Sequence, residues 1–363
     1  MKILYISPEN TVGTLTTWKN FHQSRGNKCD FITFYKTPNN FDSGICLNLP
    51  FISSNKFYRF LRSIHYKINS KSTSEYSPKS GYPPTWEPNS LFEKKYFSFR
   101  DFIWSFKIEK VIRDYNLLDY DIYHFEWGLD FYRNCSFVEK IFKLNKKVVC
   151  TYHGQDMRTR GVIKKIDDLS DLNFSSELDL LYKHPKLTYM FLPINISSNL
   201  SFKKTGHKIK ICHSPTDRYY KGSNDIIKIC KKIEKNNSSV EFILIENMSH
   251  DEVIKIKKTC DILIDQIGDS GGWGYGMNSV ESMALGLCCV TQMNEECNKF
   301  FNNHPFINVN KNNLESKINN LILNPTIIDE HKEKSIRWVN DKHDVRNVGK
   351  ILYANYNRLL NEK

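Results

Sequence analysis

Residues able to do chemistry gather in three stretches of this chain, each following an apolar run. The densest is GDSGGWGYGMNSVESMALG, residues 268–286, with five of the chain's sixteen glycines between Gly268 and Gly276. Glycine lets backbone N–H groups approach a ligand closely, and the helix expected to follow presents its positive end. Together they suit a pyrophosphate or a polar sugar, with Gly272, Trp273, Gly274, Tyr275, Gly276 and Asn278 around it. Glu281 falls about one turn inside that helix, where a carboxylate can accept two hydrogen bonds from a ribose diol. The plainer reading is a glycine-rich connection, with Glu281 an exposed partner of the helix dipole. The second stretch, HSPTDRYYKGSNDII (213–227), leaves a strand and enters a helix, with Ser223 or Asn224 as N-cap. Arg218 and Lys221 are two cations at that junction, placed for a diphosphate or simply solvated. The third, TYHGQDMRTRG (151–161), puts His153 at a strand end with Asp156, Arg158 and Arg160 after it. That set suits acceptor binding or proton handling, against the alternative of a structural histidine. Trp127, after another strand, joins it as an acceptor-binding candidate. SPENTVGTLTTW (7–18) is a weaker loop, in which Gly13 can line a cleft.

Two strings mislead. GDSGG (268–272) also surrounds the nucleophile of chymotrypsin-like proteases, but those need antiparallel barrels, an upstream His and Asp, and usually disulfides. Asp119-Tyr-Asp121 has the look of a metal-binding DxD, yet it opens a strand rather than following one, so Asp121 reads as a strand-start residue. No metal site is expected.

These stretches need elements to position them. Lys2–Ile6, Cys29–Phe34, Tyr120–Phe125, Lys147–Tyr152 and Leu187–Leu192 read as strands in the first half, with helices at Thr14–Ser24 and Phe102–Tyr115. The second half alternates more cleanly. Strands are expected at Lys208–His213, Val240–Ile245, Asp261–Asp265 and Cys288–Thr291. Helices fall at Asp225–Lys235, Asn247–Lys258 and Asn278–Leu285, then through Pro325–Lys363. Strands alternating with helices of this length argue parallel sheets in an α/β fold. Length agrees, since 363 residues suit two domains. The expected division is 1–195, 196–340 and a C-terminal helix 341–363 packing back toward the first domain. Residues 37–97, rich in Asn, Ser, Pro and Tyr, read as a surface insertion. Within it, Lys56–Ile68 has a basic amphipathic pattern that fits an anionic membrane surface, though packing on its own domain is the favoured reading.

Charge and cysteine usage bound the function. Lys+Arg is 52 against 40 Asp+Glu, a net charge of +12, which invites phosphate-bearing partners or reflects compositional bias. No nucleic-acid-binding module or stacking motif is recognisable, so nucleic acid is not the expected partner. The ten cysteines are scattered, without CxxC or zinc spacing, which fits a reducing, cytoplasmic compartment. No apolar run approaches the roughly 18 residues of a spanning helix.

WGYGMNSVESMALGLCCV resembles the EGFGLPVLEAMACGTPVV-type segment of GT-B glycosyltransferases, CAZy family 4-like. LIENMSHDEVI and DILIDQI resemble a bacterial branch of that family, and 208–291 follow its succession in order and spacing. The first half matches loosely, through MKILYIS, YDIYHF and CTYHGQD. The resemblance implies two Rossmann-like domains facing across a cleft, the second holding a nucleotide-sugar donor (a UDP- or GDP-sugar) and the first an acceptor. It implies retention of configuration, no cofactor and no metal. The acceptor would be a glycan, lipid-linked or protein, in cell-surface glycan synthesis on the inner face of the plasma membrane. Lys221 corresponds to the lysine beside the donor diphosphate, with Arg218 its partner at a shorter spacing than usual. Glu281 corresponds to the second glutamate of an E-x7-E pair, which holds the ribose. His153 corresponds to the histidine that reaches the donor sugar. Trp273 stands where the first glutamate belongs, which keeps a non-catalytic, glycan- or nucleotide-sugar-binding domain as the alternative.

Overall fold

A computed structural model describes residues 1–37, 41–51, 83–88, 90–154, 156–196 and 201–361. The chain divides into two compact units, Met1–Met190 with Leu352–Lys363, and Phe191–Ile351.

The first unit is built on a seven-stranded parallel sheet of order β3-β2-β1-β4-β5-β6-β7. Its strands are β1 (Lys2–Ser7), β2 (Lys28–Thr33), β3 (Ile45–Cys46), β4 (Ile122–Glu126), β5 (Lys147–Tyr152), β6 (Leu172–Ser175) and β7 (Leu187–Tyr189). The central strands read as near-continuous apolar runs because helices cover both faces of a parallel sheet. Leu4, Ile6, Phe125, Val148 and Cys150 are fully buried. Chain order runs outward from β1 through β2 and β3, then restarts at β4 on the other side of β1. That reversal between β1 and β4 opens a crevice at their carboxyl ends, the usual ligand position in open α/β sheets.

The second unit repeats the design with five parallel strands, order β12-β11-β10-β8-β9. They are β8 (Ile209–His213), β9 (Val240–Leu244), β10 (Ile262–Ile264), β11 (Cys288–Thr291) and β12 (Ile307–Asn308). Its reversal lies between β8 and β10. The helix Ser223–Asn236 buries Ile226, Cys230 and Ile233, one turn apart each time, against this sheet. The helix His250–Lys257 starts with a capping box in which Ser249 and Glu252 satisfy each other's backbone N–H.

Four features depart from the expectations above. The 37–97 stretch is not all surface: Ile45–Cys46 pairs with β2, and Leu47 and Leu49 are buried. ICLNL alternates apolar residues with period two, and that alternation outweighs the polar composition around it. The helix expected from Phe102 begins at Leu91, capped by Ser90, whose Oγ accepts the Glu93 N–H at 3.1 Å. Ser223 and Asn224 are not N-caps. Asp217 caps a short helix Arg218–Lys221 instead, and Gly222, at φ +64°, turns the chain into the next one. A Cβ on Gly222 would meet the Ile267 carbonyl oxygen at 2.4 Å, so this turn needs glycine. Strands β6 and β12 were not expected, since LNFS and a two-residue edge strand carry too little apolar periodicity to register. The Lys56–Ile68 segment lies outside the described residues. Among the described residues, no helix is long and apolar enough to cross a membrane.

Candidate functional site

In the second unit the charged residues converge at the carboxyl ends of β8 and β10. Lys221, after β8, donates from Nζ to Asp265 Oδ1 at 2.8 Å and Gln266 Oε1 at 2.9 Å, both just after β10. Asp265 is fully buried and also accepts from Asn278 Nδ2 (2.9 Å) and Ser279 Oγ (2.7 Å). Burial alone would raise its carboxyl, but Lys221 and these two donors hold it at about 2. The network then crosses Asn278, whose Oδ1 accepts from Ser214 Oγ and Lys257 Nζ, both at 2.7 Å. It ends at Glu281, held by His250 Nε2 at 2.7 Å and Lys257 Nζ at 3.4 Å. Burial opposes the charge of Glu281, yet those two partners pull its carboxyl below the usual range. Lys221 and Glu281 are thus tied into one chain of hydrogen bonds that fixes both.

The glycine loop is anchored to the same network. Gln266 Nε2 donates to the Gly272 carbonyl at 3.0 Å, and Thr291 Oγ1 to the Gly274 carbonyl at 2.9 Å. Gly272 and Gly274 have φ of +109° and +82°, and a Cβ on Gly274 would press on Cys297 Sγ at 3.3 Å. Tyr275 fastens the loop from behind. Its ring packs on Phe306, Phe301 and Trp338, and its hydroxyl bonds His343 Nε2 at 3.0 Å. Trp273 is half-buried, and Gly276 N-caps the helix Met277–Ala284 that carries Asn278 and Glu281. Arg218 is engaged elsewhere, in a two-pronged pair with Glu246, and its side chain is half-exposed.

In the first unit His153 and Trp127 come together, because β4 and β5 are adjacent and in register. His153 Nε2 bonds Glu126 Oε2 at 2.8 Å, and the Trp127 ring meets its imidazole edge-on at 6.1 Å. Burial works against charge on His153, but the hydrogen bond and charge of Glu126, with Asp156 and Glu177, lift it to about 9. It is therefore a cation at neutral pH, with 30 % of its side chain exposed. Asp156 and Arg158 are spent on the loop itself, which forms one π-helical turn, Asp156–Arg160. Both Asp156 carboxylate oxygens accept the His153 backbone N–H, and burial raises that carboxyl to about 6 against the pull of His153 and Arg160. Arg158 is clamped by Glu177 and Asp179. Gly13, at φ +73°, begins the helix Thr14–Ser24 beside the Phe41 ring. Asp119 and Asp121 both bond Lys2, through Nζ and through the backbone N–H, so the DxD string braces the start of β1.

Sequence reasoning missed Asp265, Gln266, Lys257, His250 and Glu126. The first two follow directly on β10 at the reversal point, a signal that strand order alone would have revealed. Lys257 is only 1 % exposed, and nothing in its helical surroundings marks a buried lysine.

The chain matches no family model and no curated protein. It is similar along its whole length to solved structures. Sucrose-phosphate synthase of Thermosynechococcus elongatus superposes with a TM-score of 0.61 at 10 % identity, covering all of both chains. A glycosyltransferase of Rickettsia africae gives 0.60 at 13 %, covering 100 % of this chain and 99 % of that one. HepE of Anabaena, solved in complex with UDP, gives 0.58 at 10 %, covering 99 % and 100 %. Two parallel α/β units with these sheet orders, in that company, give the chain the GT-B fold.

Proposed function

We propose that this protein is a metal-independent glycosyltransferase that moves a sugar from a nucleoside diphosphate to a hydroxyl acceptor with retention of configuration. The observation that carries this reading is the Lys221–Asp265–Asn278–Lys257–Glu281 network at the β8/β10 reversal, beside an anchored glycine loop. The neighbours' GT-B fold and the UDP bound to HepE support the same reading.

Each part then has a task. The Lys221 ammonium, aimed by Asp265 and Gln266, stands beside the diphosphate and stabilises the charge that develops on it as the glycosidic bond breaks. One preorganised donor of this kind contributes roughly 3–4 kcal/mol to the barrier. The glycine-loop amides add to it without reorganising. Glu281, kept ionised by His250 and Lys257, accepts the two ribose hydroxyls. The acceptor hydroxyl attacks from the face the diphosphate is leaving and gives its proton to the departing phosphate. In the first unit the His153 cation, oriented by Glu126 and with Trp127 beside it, is assigned to binding a sugar. All ten cysteines are free thiols, which fits a cytoplasmic site of action, and a glycan, lipid-linked or protein acceptor fits a role in surface-glycan synthesis. The test is transfer or slow hydrolysis of a UDP- or GDP-sugar panel in EDTA. Turnover that disappears in Lys221→Ala sustains the proposal; a fully inert wild type favours the non-catalytic alternative that Trp273 raises.

A further inference from the structure

A second polar cluster in the first unit takes no part in the chemistry above. The helix Leu91–Asp114 and the segment before the helix Ser136–Lys143 border an open pocket of about 550 Å³. Trp86, Phe97, Asp101, Tyr132 and Arg133 are among the residues that line it. The Arg133 guanidinium rests against two ring faces, 4.7 Å from the Trp86 centroid and 4.6 Å from that of Phe97, and the two rings meet edge-on at 5.3 Å.

The charges inside do not balance. Asp101 is 8 % exposed and is the carboxylate nearest to hand, but Arg100 has taken it through Nε at 3.1 Å and Nη2 at 2.5 Å. Its other oxygen accepts the Arg133 backbone N–H at 2.6 Å, not the side chain. Among the described residues, Nε and Nη1 of Arg133 are buried and have no acceptor. At the wall, Glu109 already takes the Tyr132 hydroxyl. Burial and the like charges of Arg100 and Arg160 all act against the Arg133 cation. A buried guanidinium with unpaired N–H groups carries a large desolvation penalty unless an anion completes it. The two ring faces hold it in place.

We propose that this cavity is an oxyanion subsite, which takes the carboxylate or phosphate of a sugar-sized ligand against Arg133, with its body along Trp86 and Phe97. On the glycosyl-transfer reading, on which this last step rests, that ligand is the acceptor, and the enzyme extends an acidic or phosphorylated glycan. The sugar body fits the wall chemistry, because aromatic faces pack on the apolar faces of pyranose rings.

The test is thermal melting and calorimetric titration of the full chain, without nucleotide. Glucuronic acid, glucose 6-phosphate, glucose and inorganic phosphate are compared at equal millimolar concentration. The expected result is binding of glucuronic acid, glucose 6-phosphate or both, with no response to glucose; the one that binds tells carboxylate from phosphate. Arg133→Gln should weaken that binding by at least about tenfold, as loss of a charge-assisted bond implies. Ser98→Trp, at an exposed wall position, should block the cavity with an unchanged melting temperature, and so covers the case in which Arg133→Gln folds poorly. Stabilisation by UDP should persist in both variants, so loss of the anion response with UDP binding intact speaks only to this cavity. Binding of glucose as tight as that of the acids, binding of inorganic phosphate alone, or equal binding by Arg133→Gln would overturn the proposal.

Discussion

The two units share a sheet design but treat the ionisable groups near their reversal points differently. In the second, each buried charge at the reversal point meets an opposite one: Lys221 with Asp265, Lys257 with Glu281. In the first, the buried histidines behind the site are neutral. His22 and His124 are held at about 3 and about 4 by burial, and they bond tyrosine and threonine hydroxyls: Tyr5 and Tyr353 for His22, Tyr356 and Thr151 for His124. His153, by contrast, is driven to the cation by Glu126. The same residue type is scaffold in one place and charge in the next, and the partner on the adjacent strand decides which. At its reversal point the second unit therefore keeps its buried charges paired, and the first presents the His153 cation alongside two neutral histidines.

Four experiments break or sharpen that contrast. The largest effect is expected from Lys221→Ala, which should lower turnover by at least about a hundredfold. Asp265 keeps its bonds to Asn278 and Ser279, so circular dichroism should still report a folded chain. Near-normal turnover in the folded variant would remove Lys221 from the chemistry. Glu281→Ala comes next. Loss of two charge-assisted bonds to a ribose should weaken nucleoside diphosphate affinity by about 10- to 100-fold, with a smaller effect on the chemical step. Equal affinity in calorimetry would leave Glu281 a structural partner of His250 and Lys257.

A pH experiment addresses the first unit. The folded pKa of His153, about 9, lies above its ordinary value of 6.5. Its stabilising contribution is therefore complete below pH 6.5 and is lost as pH rises through about 9. With partial solvent screening, this amounts to about 1–2 kcal/mol. Wild type should lose that much more than His153→Gln between pH 6.5 and 9 in urea unfolding, and parallel curves would contradict the assignment. The smallest effect is expected from Tyr356→Phe. It leaves His124 Nδ1 unpaired in the core, at about 1–2 kcal/mol and with no change in nucleotide binding. A stability loss in Lys221→Ala confined to the same size, with activity intact, would erase the distinction between the two regions.

Sequence patterns disclosed the α/β alternation because parallel strands are buried on both faces and spell out apolar runs. They disclosed the glycine loop, Lys221 and Glu281 because each sits at the junction of a strand and a helix, where composition changes abruptly. What they hid is what topology brings together. Asp265 lies 44 residues beyond Lys221 and Lys257 lies 24 before Glu281, and only the jump of β10 back across β8 joins them. Glu126 meets His153 through the β4–β5 register, which no local spacing encodes. The edge strand β12, two residues long, is set by its neighbour's open backbone groups rather than by its own side chains. Asp156 and Arg158 illustrate the converse: their types fit ligand binding, and the fold uses both on one loop.

The central claim, a nucleotide-sugar site on the second unit, is tested most directly by thermal melting with a panel of nucleoside diphosphates and their sugars, in EDTA. A ligand at a hundred times its dissociation constant adds about 2.7 kcal/mol to stability. The account predicts that one diphosphate, and its sugar, raises the melting temperature in wild type and far less in Glu281→Ala. No shift with any of them, or the same shift in both proteins, would contradict it.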